Sequence, residues 1–210
     1  MTISIDSGPI KLEAVLREPR AGFGAAALLC HPHPVYGGTM DNRVVYRAAK
    51  AAQAAGLATL RFNFRGTGKS TGAYDRGAGE QQDVSAVIDW LADRYRGLPL
   101  VLIGFSFGAW VGLRVGCVDP RVRVLVGLGL PVITYDFGFL VGNTKPSLFV
   151  SGTRDEFCPR PEMERLAARL PSASSVAWIE GADHFFKGRI DQLQQQITLF
   201  LLAAVPGGKG

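Results

Sequence analysis

The apolar run Leu100-Val-Leu-Ile103 passes directly into Gly104-Phe-Ser-Phe-Gly108, and Ala109, Trp110, Leu113 and Val115 follow at helical spacing. A strand, a turn and a helix are therefore joined with almost no connecting chain, and few folds allow that. Strand and helix backbones pass so closely in such a turn that only small side chains fit at its two ends, which is where the glycines stand. Ser106 is left at the exposed tip, with the N–H of Phe107 beside it at a helix N-terminus, suited to holding an oxyanion. In a chain with 26 glycines, G-x-S-x-G alone is a weak pattern; the strand before it and the helix after it give it weight. The plain alternative is a glycine-rich turn that merely opens a packed helix. Gly108, Gly112 and Gly116 recur at helical spacing and let this helix approach the sheet closely, while Arg114 argues against a membrane-dimer motif.

The rest of the chain has a matching texture. Two alternating runs, near Thr2–Ile5 and Lys11–Leu16, flank Ser7-Gly8-Pro9 and predict a hairpin. Short apolar runs at Ala25–Cys30, Leu57–Phe62, Leu100–Ile103, Val122–Leu128, Ser147–Val150 and Val176–Ile179 predict buried strands. Between them lie predicted helices: Arg43–Ala55 capped by Asp41 or Asn42, Glu80–Tyr95, Glu162–Leu170 with Pro161 as first helical residue, and a C-terminal helix with Ile190, Leu193, Ile197 and Leu201 on one face. Alternating strands and helices predict an α/β fold with a mostly parallel sheet covered on both faces. One domain is expected over 1–205, with a disordered tail at 206–210.

Composition closes off several functions. A net charge of +5 without any Lys/Arg-dominated segment reads as a solvated surface, not a nucleic-acid stripe. Apolar stretches are interrupted by Gly, Arg or Pro well short of a membrane span, and the N-terminus lacks a signal-peptide pattern. Cys30, Cys117 and Cys158 are widely spaced and odd in number, as expected of free thiols in a cytoplasmic protein.

Arg61-Phe-Asn-Phe-Arg-Gly-Thr-Gly-Lys-Ser-Thr-Gly72 ends like a phosphate-binding P-loop. A P-loop requires a glycine at the position of Asn63 and a helix immediately after Ser70. Thr71, Gly72, Gly77 and Gly79 predict a loop there instead, so the stretch is expected to be a glycine-rich turn without a nucleotide, with Arg65 bracing the neighbouring loops by hydrogen bonds to their carbonyls.

Ligands of such sheets bind beyond the carboxyl ends of the strands. A serine hydroxyl there needs a base, and the base needs an orienting carboxylate. His184, in Gly181-Ala-Asp-His-Phe-Phe186, follows the last predicted strand. Asp155, in Ser151-Gly-Thr-Arg-Asp-Glu156, follows the one before it; Glu156 is expected to point elsewhere, Asp136 is the alternative acid, and Asp183 abuts His184 too closely to reach its ring.

The hairpin, the G-F-S-F-G turn, S-G-T-R-D-E and G-A-D-H-F-F before a terminal helix resemble the α/β-hydrolase superfamily over nearly the whole chain, in the order Ser, Asp, His. The resemblance implies an eight-stranded sheet, Ser106 as nucleophile, His184 as base and Asp155 as orienting acid. The texture is similar to compact bacterial esterase-like members related to dienelactone hydrolases. Those relatives often use cysteine, and Ser106 moves the expectation toward ordinary ester hydrolysis.

The same fold takes a second oxyanion donor from the loop after Ala25–Cys30, here His31-Pro-His-Pro-Val-Tyr-Gly-Gly. Prolines have no N–H, so the expected donor is the backbone of His33, between Pro32 and Pro34. The rival reading groups His31, His33 and His184 as a zinc site. Leu130 to Pro146 is too short for a lid domain, so an open site is expected, bordered by Tyr36, the Thr134–Phe139 segment, Phe157 and Phe185. The implied activity is cofactor-free cleavage of small or short-chain carboxylic esters. Thioester or peptide-type acyl hydrolysis, and a non-catalytic scaffold that binds a ligand or partner, are the alternatives. The oligomeric state is left open.

Overall fold

The hairpin that opens the chain pairs β1 (Thr2–Ser7) with β2 (Ile10–Arg17), and Gly8 takes the left-handed φ of 59° that its two-residue turn needs. The computed structural model describes residues 1–19 and 22–205, so the expected tail at 206–210 lies outside the described residues. Six further strands follow: β3 (Ala26–Cys30), β4 (Ala58–Phe62), β5 (Leu100–Phe105), β6 (Val122–Leu128), β7 (Ser147–Gly152) and β8 (Ser174–Ile179). They form one eight-stranded sheet in the order β1-β2-β4-β3-β5-β6-β7-β8. Pairs involving β2 are antiparallel and all others are parallel.

Among the described residues, five helices cover the sheet: α1 (Arg43–Ala54), α2 (Ala78–Arg94), α3 (Phe107–Val118), α4 (Arg160–Ala167) and α5 (Ile190–Ala204). The period-2 alternation of the strands divides the core. Leu28, Cys30, Leu100 and Leu102 pack with α2 and α3, while Ala27, Leu29, Val101 and Ile103 pack with α1 and α5. Central strands buried on both faces explain why their sequences run apolar without a break.

Most predicted elements appear within two residues of their expected ends. Asn42 is the α1 cap, its side chain accepting from the Val44 N–H at 2.9 Å. The helix expected over Glu162–Leu170 instead spans Arg160–Ala167, so Pro161 is its second residue; an N–H in the first turn has no intrahelical acceptor, so a proline that lacks one costs nothing there.

The strand order leaves β3 at a switch point, with β4 on one side and β5 on the other. A crevice opens at the carboxyl ends of strands at such a point. The loop after β3 and the turn after β5 therefore face each other. Between β6 and β7 the chain makes one short 3-10 turn, Gly138–Gly142, and among the described residues no inserted helix covers the crevice.

Candidate active site

Ser106 caps the N-terminus of α3 with φ 55° and ψ −121°, a conformation that L-residues adopt only under constraint. The constraint is visible. Its N–H donates to Leu128 O at 3.0 Å, and its carbonyl accepts from the N–H groups of Ala109 and Trp110 at 2.9 and 3.2 Å. A Cβ on Gly104 would stand 2.5 Å from Ala109 Cα, and one on Gly108 would stand 2.4 Å from the carbonyl oxygens of Cys30 and His31. Both glycines are thus required by backbone approach, as the sequence pattern predicts.

His184 Nε2 lies 2.9 Å from Ser106 Oγ, and His184 Nδ1 lies 2.9 and 3.0 Å from the two oxygens of Asp155. A carboxylate only accepts, so Nδ1 carries the proton and Nε2 presents a lone pair to the serine hydroxyl. Asp155 and His184 are both buried, at 4% and 3% exposure, and Asp155 Oδ1 also accepts from the N–H groups of Phe157 and Cys158 at 2.9 and 3.1 Å. The rings of Phe105, Phe157 and Phe185 surround the imidazole at 4.7 to 5.3 Å between centroids. Gly129, at φ 50°, completes the wall: a Cβ there would come within 3.2 Å of Asp155 Oδ2 and of the His184 ring.

The competing acids are used elsewhere. Asp136 Oδ1 accepts from Gly138 N at 2.7 Å, and Asp183 Oδ1 accepts from Phe185 N and Lys187 N at 3.1 and 2.9 Å, so each closes its own turn. Glu156 makes no bond to His184, in keeping with an orientation away from the base, and it borders the cleft.

The cleft measures about 550 Å³ and is lined on one side by His33, Tyr36 and Phe107 and on another by Phe157, His184 and Phe185. Of the Thr134–Phe139 segment, Thr134 and Tyr135 reach it; Phe137 turns into the core. Pro131 and Asn42 also line the cleft; the sequence marks Asn42 only as a helix cap and gives no sign of Pro131.

The loop after β3 is tightly folded. Tyr36 N and Gly38 N both donate to His33 O, at 3.2 and 3.0 Å, and a Cβ on Gly38 would stand 2.1 Å from Pro32 O. The backbone N–H groups of His33 and Phe107 have no acceptor among the described residues. The three histidines do not converge into the rival zinc site. His31 is fully buried, its Nδ1–H donating to Pro32 O at 2.7 Å and its Nε2 accepting from Phe64 N at 3.0 Å; burial pushes its pKa down to about 4. His33 uses Nδ1 to accept from Val35 N at 3.2 Å and Nε2 to bond Tyr74 Oη at 3.1 Å, and burial lowers its pKa too.

The turn after β4 differs from expectation in one respect. Arg65 is expected to brace neighbouring carbonyls; instead its guanidinium makes a buried ion pair with Asp83 on α2, at 2.8 Å for Nη2–Oδ1. A full carboxylate satisfies a buried guanidinium better than scattered carbonyls do. The turn's own donors are consumed internally: Gly66 N on Thr71 O, Thr67 N on Phe64 O, Lys69 N on Glu13 Oε2 and Ser70 N on Thr67 O. No helix follows Ser70 until α2, and a carboxylate occupies the turn, which therefore lacks a phosphate cradle.

Fold and crevice define the class of an α/β hydrolase, and comparison with known proteins agrees. Residues 25–200 match the family described as alpha/beta hydrolase domain. The chain belongs to that family. It is 37% identical over 185 residues to an uncharacterized protein of Rickettsia prowazekii (strain Madrid E), a match covering 84% of this chain and 78% of that protein. An alpha-beta serine hydrolase homologue from Coxiella burnetii superposes with a TM-score of 0.89 at 36% identity, covering 95% of this chain and 96% of the other. A serine hydrolase without lid from Xanthomonas campestris gives a TM-score of 0.89 at 30% identity, covering 100% and 96%.

Proposed function

We propose that this protein is a serine hydrolase that cleaves small or short-chain carboxylic esters through an acyl-enzyme on Ser106. The observation that carries this reading is the unbroken contact from Ser106 Oγ to His184 Nε2 at 2.9 Å and from His184 Nδ1 to Asp155 at 2.9 Å, on a serine held at φ 55°.

In this mechanism His184 Nε2 takes the Ser106 proton as Oγ bonds to the ester carbonyl carbon. Asp155 stabilises the imidazolium and holds the ring in place. The carbonyl oxygen becomes an oxyanion, received by the N–H groups of His33 and Phe107. Such donors are worth about 3–4 kcal/mol each when they are fixed before the reaction begins. The imidazolium then passes its proton to the leaving alkoxide, and the C–O bond breaks. Water, deprotonated by the same nitrogen, releases the acid and restores Ser106. The leaving alcohol must lie on the His184 side to receive that proton, against Phe157 and Phe185.

The apolar walls and the modest volume of the cleft support a small uncharged acyl group. The uncovered crevice and the relative without a lid support an enzyme open to a dissolved substrate, and the proposed mechanism calls for no cofactor. Three free thiols fit a cytoplasmic setting.

Ser106→Ala should abolish p-nitrophenyl acetate hydrolysis above the background given by exposed nucleophiles. Turnover at the wild-type rate would refute the assignment. A panel of acyl-chain lengths then ranks the substrates, with short chains expected to give the highest kcat/KM.

A further inference from the structure

The glycine-rich turn after β4 and the loop that leads from it to α2 are not explained by the chemistry of Ser106, although they lie beside it. We infer that Tyr74, at the end of this segment, is a positioning residue: its hydroxyl fixes the His33 ring and so aims the His33 backbone N–H at the oxyanion. This rests on the serine-hydrolase reading above.

The loop between β4 and α2 is built to put Tyr74 in one place. Gly66, at φ 70°, lets the returning chain cross it: a Cβ there would meet Ala73 Cα at 3.0 Å and Tyr74 N at 3.2 Å. Glu80 is fully buried, and its two oxygens accept from the N–H groups of Asp75 and Gly77 at 2.8 and 2.7 Å, on the far side of Tyr74. Gly77, at φ 96°, lies against the Trp110 ring, where a Cβ would come within 2.4 Å. The Arg65 guanidinium lies across Gly79 and holds Asp83, tying the start of the loop to α2. A buried carboxylate whose oxygens meet only backbone donors of one loop serves to fix that loop.

What the loop delivers is a hydroxyl. Because His33 Nδ1 accepts from Val35 N, the neutral ring carries its proton on Nε2, which donates to Tyr74 Oη at 3.1 Å. The ring is also packed among Tyr36, Tyr74 and Phe107, at 4.7 to 4.9 Å between centroids. Both ring nitrogens and its faces are thus fixed, and the side chain can turn only with its backbone. A donor that is preorganised in this way pays no rearrangement in the transition state.

Tyr74→Phe removes the hydroxyl and keeps the ring. It should lower kcat for p-nitrophenyl acetate about tenfold with KM changed less than about twofold, since the lost alignment matters most in the transition state. In a His33→Ala background, which keeps the backbone N–H, Tyr74→Phe should cost nothing further. Amide NMR reads the His33 N–H without any turnover: Tyr74→Phe should shift this resonance and speed its exchange about tenfold, leaving the Phe107 amide in place. An equal kcat loss in both backgrounds, or an unmoved His33 amide, would overturn the inference. A responsive His33 amide in a protein that hydrolyses no ester would instead overturn the hydrolase reading and leave the positioning intact.

Discussion

Two glycine-rich turns flank the loop after β3 at the carboxyl edge of the sheet, one after β4 and one after β5, and they do opposite work. Each follows a buried strand and each carries a serine between glycines. The turn after β5 runs at once into α3, so its serine has no room to fold inward; it is held strained at the tip with its hydroxyl on His184. The turn after β4 has a long path to α2, and its polar groups have the slack to turn in. Ser70 Oγ donates to Asn63 O at 2.7 Å and accepts from Glu13 N at 2.9 Å, and Arg65 closes on Asp83. A glycine-rich turn presents chemistry when a helix begins immediately; given slack, it becomes a brace.

The contrast predicts that changes to Ser106 and its partners strike chemistry and spare stability, and that changes to the bracing groups of the turn after β4 do the reverse, while Tyr74, farther along that loop, reaches the chemistry only through His33. The largest effect is expected from the acid. Asp155→Asn should lower kcat by about four orders of magnitude, by favouring the wrong imidazole tautomer, while Asp136→Asn leaves kcat within about twofold. Equal losses in the two variants would break the assignment.

On the other side, Arg65→Ala leaves Asp83 buried without its partner. Removing one member of such a pair costs about 3–5 kcal/mol, which in a chain of this size lowers Tm by roughly 6–20 °C. Asp83 is fully buried and the Arg65 side chain is 11% exposed, so solvent screens little of this. Thermal unfolding and kcat measured on the same preparation test it; a large kcat loss with Tm unmoved would dissolve the contrast.

The smallest effect concerns His31, which joins the loop after β3 to the turn after β4 by bonding Pro32 O and Phe64 N. Its folded pKa, pushed down to about 4 by burial, lies below the value of about 6.5 in the unfolded chain. The unfolded chain therefore binds the extra proton between these values, and stability must fall as pH drops from about 6.5 to about 4. The loss from this one group is on the order of 3 kcal/mol. His31→Gln should flatten the dependence of unfolding free energy on pH in that window, and an unchanged slope would show that other groups set it.

The same contrast explains what was legible in the sequence. The elbow, Asp155 and His184 could be read because each immediately follows a strand with a clear apolar run, and because backbone crowding dictates glycine at both ends of the elbow. The hairpin, the six further strands and the helices followed from turn residues and periodicity. Arg65–Asp83, Glu80 and the Tyr74–His33 bond were not legible, since they join side chains whose partners depend on how a long loop folds back. Glu156 and Pro131 at the cleft fall in the same class. The false P-loop shows the cause most plainly: Gly68-Lys-Ser70 matches a motif in letters, while Glu13, on a strand distant in sequence, takes the Lys69 N–H.

A fluorophosphonate probe, which reacts with activated serine hydroxyls, reports on Ser106 without any need to know the substrate. Intact-mass analysis of the folded protein should show a single adduct, peptide mapping should place it on Ser106, and Ser106→Ala should take up none. Absence of an adduct on the folded wild-type protein, or an adduct on another residue, would contradict the account.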